Sequence, residues 1–394
     1  AYAITPSLIN KDSLTIATRV NPPMGYKRVA YAKGSFEDYL RHYKLKPFER
    51  KINMFRRTLY IGGKEFFGFG ILWDGKIKNI DKFNQLLSKL GKYGINHLIL
   101  WQPCNFKSTQ WAKKILDSAK DHNFMISYNF SSHGGVIPDS QISVIKSFIK
   151  HDALLMVQLF DESYGKPLDK FKNCEANKIR LATDGRVPLW HNEFNLGVLN
   201  KADYSHFDIA SMDEYGIYNN ESSKVYNFMK ILSDCNRQKV INCIVLGGAN
   251  FSNLWREPTA KEVLNQAYQA YTNEIFNIMW FGDIPYTAPV LPAVEQAKKE
   301  LDAIEPGKFL DGKKVDVFCD SEFIKLTARQ KGKKLILISV NITRNKVPSA
   351  TFKLPVAGKN IIVKFENRTV PVTKYRFSDH FKPLERHVYE ITVK

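Results

Sequence analysis

Three short apolar runs in this chain end on carboxylates. Phe160 is followed by Asp161-Glu162, Trp190 by His191-Asn192-Glu193, and Met212 by Asp213-Glu214. Other apolar runs end on rings and amides: Trp73-Asp74, Trp101-Gln102-Pro103, Tyr128-Asn129 with His133 shortly after, Gly247-Gly248-Ala249-Asn250, and Trp280-Phe281-Gly282-Asp283. Paired carboxylates among aromatic rings suit cleavage of a glycosidic bond. One carboxylic acid protonates the leaving oxygen, and a second carboxylate attacks the anomeric carbon or activates water. The working acid needs a raised pKa, from partial burial or a neighbouring carboxylate. Flat ring faces stack on the apolar faces of sugars, and amides and carboxylates bind the hydroxyls. Glu162, Glu193, Asp213 and Glu214 are therefore the catalytic candidates. Asp74, Trp101, Tyr128, Asp161, Trp190, Asn192, Tyr215, Asn250 and Trp280 are the substrate-binding candidates. Each has a structural alternative: acids often cap the following helix, rings often fill a core, and His133 and His191 serve equally as hydrogen-bonded structural residues.

These residues acquire a common location from the elements around them. Eight strand-like runs alternate with helical patterns between about residues 59 and 304: 67–73, 95–101, 124–128, 153–160, 187–190, 207–212, 240–246 and 276–281. The runs are almost continuously apolar, as expected of parallel strands covered on both faces. Between them, Ile80, Phe83, Leu86, Leu87 and Leu90 fall on one helical face, as do Trp111, Ile115, Leu116 and Ala119, and Val263, Ala267 and Ala270. Gly94 stands where a helix needs a left-handed stop. The expectation is an α/β fold, a (β/α)8 TIM barrel, whose functional residues gather at the carboxyl ends of its strands. Residues 1–58 form a separate lead-in with a Pro22-Pro23-Met24-Gly25 turn and a short helical stretch at 36–42. After Pro306-Gly307 the pattern becomes alternating strands with no helix: 315–318, 323–329, 335–341, 350–354, 361–365 and 387–393. Residues 305–394 are thus expected to form a small all-β sandwich.

Composition narrows the classes further. With 44% apolar and 25% charged residues, the chain is an ordinary globular protein and not a disordered or fibrous one. No uninterrupted apolar run reaches about 18 residues, so no membrane span is expected. Lys and Arg number 58 against 39 Asp and Glu, a net charge of +19. Such a field attracts polyanions, with a merely solvated basic surface as the alternative. Cys104, Cys174, Cys235, Cys243 and Cys319 form no CxxC pair and no zinc spacing, which fits free thiols better than a disulfide framework. No phosphate loop, Ser-His-Asp spacing or metal motif stands out, and Gly68-Phe69-Gly70 lacks the third glycine of a dinucleotide fingerprint. No cofactor or metal is implied. A first residue of Ala rather than Met suggests processing, in line with a secreted or otherwise extracytoplasmic location; the Asn-x-Ser/Thr sites at Asn129, Asn220, Asn250, Asn341 and Asn367 do not decide it.

Over about residues 59–390 the order of several pieces resembles the (β/α)8-barrel glycoside hydrolases of the β-galactosidase and endoglucanase clan. Gly62-Gly63-Lys64-Glu65-Phe66-Phe67 is similar to the phrase that opens the first strand. Gly94-Ile95-Asn96-His97 is similar to the turn before the second. Phe160-Asp161-Glu162 is similar to the acid/base segment after the fourth, with Ser163 where Pro is usual. Met212-Asp213-Glu214-Tyr215 is similar to the segment after the sixth. Trp255-Arg256-Glu257-Pro258-Thr259, with Glu262 and Gln266-Ala267-Tyr268, is similar to the helix after the seventh.

The resemblance implies Glu162 as general acid/base, with Asp161 orienting a sugar hydroxyl or tuning Glu162, and a trailing β-sandwich. It also exposes a departure. The clan's nucleophilic Glu stands at the end of the seventh strand, where this chain has Gly247-Gly248-Ala249-Asn250. The partner of Glu162 must then come from Glu193, Asp213, Glu214 or Glu257. The expected function is a glycoside hydrolase acting on a poly- or oligosaccharide, with the basic balance pointing to an acidic one. The alternative is a non-catalytic glycan-binding or structural protein on the same scaffold. A nucleic-acid partner is not expected, because no recognised binding module is present.

Overall fold

The computed structural model describes residues 4–10, 14–19, 27–31, 52–55, 58–62, 64–73, 75–101, 106, 108–132, 137–161, 170–183, 187–193, 195, 197, 207–214, 226–227, 230, 241–247, 257–281 and 290–394. For 4–10, 14–19, 27–31, 52–55, 131–132, 161, 170–174, 181, 214 and 241–247 the backbone alone is described. The chain divides into two compact units, Ala1–Asp213 with Ile231–Val245 and Met279–Ile284, and Glu214–Lys230 with Leu246–Ile278 and Pro285–Lys394.

The expected barrel is present. Strands β7 (Phe69–Trp73), β8 (His97–Leu100), β9 (Met125–Ser132), β10 (Leu154–Asp161), β11 (Leu189–Glu193), β12 (Ile209–Glu214), β13 (Ile241–Gly247) and β14 (Asn277–Phe281) close on themselves in chain order. From β7 to β12 each strand pairs in parallel with the next. In these strands, apart from Trp73 at the end of β7, the described apolar side chains are buried, from Phe69, Ile71, Leu98, Ile99 and Ile126 to Val157 and Leu189. Two-sided burial is why these runs lack polar alternation.

Helices α1 (Ile80–Gly91), α2 (Thr109–Asp121), α3 (Asp139–Phe148) and α4 (Lys170–Ala182) follow the first four barrel strands. Helix α1 starts at Asn79, whose side chain accepts from the Lys82 amide at 2.9 Å, and buries Phe83, Leu87 and Leu90. Gly94 then adopts φ 75°, the left-handed geometry expected of it. The next residues lock the first strand. The Phe69 amide donates to Asn96 Oδ1 at 2.8 Å, and Asn96 Nδ2 donates to the Phe67 carbonyl at 3.1 Å. Between β11 and β12, Asp208 accepts from Arg180 at 2.9 Å and from the Leu189 amide at 2.8 Å, with both charged side chains buried.

The lead-in differs from expectation. Strands β1 (Ile4–Asn10), β2 (Leu14–Arg19), β3 (Lys27–Tyr31), β4 (Ile52–Phe55), β5 (Thr58–Ile61) and β6 (Lys64–Phe66) form one sheet in chain order. Lys64–Phe66, expected at the opening of the first barrel strand, instead pairs antiparallel with β5. The helical stretch expected at 36–42 and the Pro22–Gly25 turn lie outside the described residues.

In the second unit, α5 (Ala260–Thr272), α6 (Val290–Ile304) and α7 (Pro306–Asp311) precede two antiparallel sheets. Helix α6 ends at Ile304, just ahead of Pro306 as expected: Glu305 turns left-handed at φ 54°, and Pro306 opens the short α7, which the sequence did not announce. Strands β15 (Lys313–Lys314), β17 (Ile324–Lys331), β18 (Lys334–Asn341), β23 (Arg386–Val393), β20 (Gly358–Lys364) and β21 (Arg368–Thr369) make one sheet, in the order β15-β17-β18-β23-β20-β21. Strands β16 (Phe318–Cys319), β19 (Val347–Lys353) and β22 (Arg376–Phe381) make the other, in the order β16-β19-β22. Phe352, Phe377, Phe381, Leu337, Ile361, Tyr389 and Ile391 belong to their shared core, with Phe352 and Phe377 stacked at 4.7 Å. The expected strand 315–318 is strand only at Phe318, since β15 ends at Lys314 and β16 begins at Phe318. Strand β22 escaped notice because its inward positions are Phe377, Asp379 and Phe381. A buried carboxylate breaks the apolar alternation, and Arg368 and Tyr389 Oη satisfy it at 2.8 Å and 3.0 Å.

Candidate active site

The carboxyl ends of β10, β11 and β12 run side by side. The backbone pairs Asp161 with Asn192, and Asn192 with Ser211. Alternate residues of a strand point to opposite faces, so Trp190 and Asn192 share one face of β11, and Ser211 and Asp213 share one face of β12. A hydrogen-bonded chain joins them. Trp190 Nε1 donates to Ser211 Oγ, Ser211 Oγ donates to Asn192 Oδ1 at 2.6 Å, and Asn192 Nδ2 donates to Asp213 Oδ1 at 3.2 Å. All four side chains are buried, Asp213 with 5% exposure at the strand end. A carboxylate withdrawn from water needs such donors in place of the water it gives up. The Asp213 carboxylate is therefore held in one orientation at the place where a barrel presents its chemistry.

His191 and Glu193 occupy the other face of β11. Their side chains are fully buried, with Nε2 3.7 Å from Oε2, and Glu193 Oε1 accepts from the Asn195 amide at 3.2 Å. The His191 ring lies 5.9 Å from that of Phe207. Strand alternation thus separates Glu193 from the Asn192–Asp213 group. Glu193 is a fully buried carboxylate beside His191, held by the amide of its own loop.

The rings divide in the same way. Trp190, Trp280 and Tyr128 are buried at 0%, 1% and 2% exposure. A sugar platform needs an open face, and the burial of these three rings matches the packing alternative given for them. Trp280 meets Phe69 edge-on at 6.1 Å, and Tyr128 packs edge-on against Phe106 and Phe130 at 4.6 Å and 4.9 Å. Burial pushes the Tyr128 hydroxyl far above its ordinary range, so it stays protonated. Trp101 remains half-exposed, its amide donating to the Trp73 carbonyl at 3.1 Å. Glu162, Asp74, Tyr215, Asn250 and His133 lie outside the described residues, and Asp161 and Glu214 are described by backbone only, at the last positions of β10 and β12.

Ser211 and Gln158 were not expected here, and Asn129 was expected only as an amide at a strand end. All three are fully buried, and the backbone pairs Gln158 with Asn129 on one side and Trp190 on the other. Their signal was available: a polar side chain interrupts each of three apolar strands.

The motif after the seventh strand has a structural role. Thr259 caps α5, accepting from the Glu262 amide at 3.3 Å, while Glu262 Oε2 accepts from the Thr259 amide at 2.8 Å. This is a capping box, and Arg344 also donates to Glu262. The pieces expected to form the helix after the seventh strand do so, with Thr259 and Glu262 at its start. Glu257 stands half-buried just before it. Among the described residues no three His, Cys, Asp or Glu side chains gather as metal ligands, and no helix is long and apolar enough to cross a membrane.

No protein-family model matches the sequence, and no curated protein matches it. Solved structures do. An α-amylase from Anoxybacillus matches at a TM-score of 0.60 and 10% identity over 84% of this chain and 99% of its own. The α-amylase of Geobacillus thermoleovorans, solved with acarbose, matches at 0.58 and 10% over 83% and 99%. A putative α-galactosidase from Bacteroides fragilis matches at 0.58 and 8% over 82% and 79%. At this identity the likeness concerns the fold, which is that of (β/α)8 glycoside hydrolases carrying a C-terminal β-domain.

Proposed function

We propose that this protein is a glycoside hydrolase whose carboxylate pair straddles β11. One member is Asp213 on β12. The other is Glu162, immediately after β10, with Asp161 beside it. The observation that carries the reading is the Asn192 side chain, which holds Asp213 at 3.2 Å while its backbone pairs with Asp161. Strands two apart stand about 10 Å from each other. Side chains leaning together over the strand between them reach separations of about 5–5.5 Å for retention or about 6.5–9.5 Å for inversion. Glu162 would give its proton to the leaving oxygen as the glycosidic C–O bond breaks. Asp213 would attack the anomeric carbon, or take a proton from the water that does. The sugar-cleaving enzymes with the same fold support the reaction class, and the order of the sequence pieces favours the β-galactosidase and endoglucanase clan. The basic balance of the chain favours an anionic polysaccharide.

Asp213→Asn and Glu162→Gln keep shape and remove the chemistry. Each should cut the release of new reducing ends by about 10²–10⁴-fold on a panel of neutral, uronic and sulfated polysaccharides. Retention of most activity by either variant would overturn its assignment. Glycan binding without cleavage by the wild type would favour the non-catalytic reading, to which the absence of a carboxylate in Gly247-Gly248-Ala249-Asn250 already speaks.

A further inference from the structure

The outer face of the sheet β16-β19-β22 carries an arrangement that folding does not require. Register pairs Phe318 with Lys353, and Lys353 with Arg376, in one row across the three strands. Their neighbours Phe352 and Phe377 stack within the core, and Cys319 packs against it. Alternation therefore turns Phe318, Lys353 and Arg376 to solvent. Phe318 is 64% exposed. Lys353 and Arg376 sit directly opposite each other, an arrangement that repels. Among the described residues neither has an ion-pair partner. The row borders a shallow groove of about 550 Å³, completed by Thr351 and Asp320. Asp320 Oδ1 already accepts from the Thr351 amide at 2.8 Å, and the Thr351 and Ser378 hydroxyls lie 3.1 Å apart. Around this face, residues 305–394 carry 19 Lys and Arg against 9 Asp and Glu.

We propose that this face is a binding site for an anionic polysaccharide, separate from the barrel's carboxylates. Phe318 offers a flat apolar surface to a sugar ring. Arg376 and Lys353 pair with the carboxylate or sulfate of the same or the next residue, the guanidinium as a planar fork and the ammonium as a point charge. The hydroxyls of Thr351 and Ser378 take sugar hydroxyls. An anion between Lys353 and Arg376 removes their mutual repulsion, which is the complementarity the empty face lacks. A single exposed ring among hydroxyls suits a glycan better than a single-stranded nucleic acid, which stacks successive bases on several rings. The choice of glycan rests on the hydrolase reading of the barrel.

The test uses the full chain in affinity electrophoresis through gels holding polygalacturonate, chondroitin sulfate, amylose or single-stranded DNA. The two acidic gels should retard the wild type, and whichever retards it more identifies the carboxylate or the sulfate. Phe318→Ala, and separately Lys353→Gln with Arg376→Gln, should weaken that retardation about tenfold. Lys333→Gln with Lys359→Gln removes equal charge from the six-stranded sheet and should leave it near wild type. Equal losses in the control pair, no retardation in acidic gels, or stronger retention by DNA would overturn the proposal. Asp213→Asn should bind these gels normally whether or not it cleaves, so failure of the barrel reading and failure of this site are distinguishable.

Discussion

His97 stands near the start of β8, fully buried, with Nε2 2.6 Å from the Ser127 hydroxyl oxygen. Burial pushes its imidazole down to about 3 from 6.5. The sign follows by linkage: below pH 6.5 the unfolded chain binds a proton that the folded chain refuses, down to about pH 3. Stability therefore falls with pH across that window, by at most about 1.4 kcal/mol per unit. His97→Gln should cost stability at neutral pH yet flatten the decline between pH 6.5 and 4.5, and urea midpoints at several pH values would measure it. An unchanged slope would assign the decline to other groups. Glu366 acts lower. Burial opposes its ionisation, but hydrogen bonds from His387 and Arg368 hold its carboxyl below the ordinary 4.5, so its contribution is lost only as pH falls past that value. Residue identity alone does not say what a carboxylate serves. Glu193 lies on the face of β11 opposite Asn192, beside His191, and Glu262 caps a helix. A carboxylate looks the same in a sequence whether it serves a substrate or a backbone amide.

At the level of elements, the close approach of β7 to β8 depends on one missing side chain. A Cβ on Gly70 would lie 2.9 Å from His97 Nδ1 and 3.1 Å from the His97 carbonyl oxygen. Neither can retreat easily, because His97 is buried and its backbone is part of the barrel ladder. Gly70→Ala should destabilise by about 1–3 kcal/mol through overpacking, read as a lowered denaturant midpoint with an unchanged far-ultraviolet spectrum. A midpoint equal to wild type would show that the two strands can separate without penalty. The eight barrel strands were legible because two-sided burial writes itself as an apolar run. Asn96 was legible as a motif but not as a function: its side chain ties the Phe67 carbonyl and the Phe69 amide, a bond across 27 residues for the latter. The sandwich strands with apolar inward positions were legible too, whereas β22, with Asp379 inside, was not.

For the whole molecule, the net charge of +19 sets the long-range behaviour. A basic field concentrates anionic chains near the surface, and salt screens it. Raising sodium chloride from about 50 mM to about 500 mM, where the screening length becomes a few ångströms, should weaken polygalacturonate binding more than tenfold. Affinity for a neutral oligosaccharide should stay within about twofold. Titration calorimetry at both salt levels checks this, and equal salt dependence for the two ligands would mean that charge plays no part in selection.

Periodicity and composition alone determined the α/β class, the eight-strand count, the trailing β-domain and the rim on which carboxylates would collect. These follow from local rules, since the apolar period is imposed by which faces an element buries. Tertiary structure decided the rest: that Asn192 reaches Asp213, that Glu193 points away from them, that Trp190 and Trp280 are sealed in the core, and that Phe318, Lys353 and Arg376 align on three separate strands. Each depends on the facing side of a strand and on pairing between segments distant in the chain. No run of residues encodes that pairing until the backbone has closed.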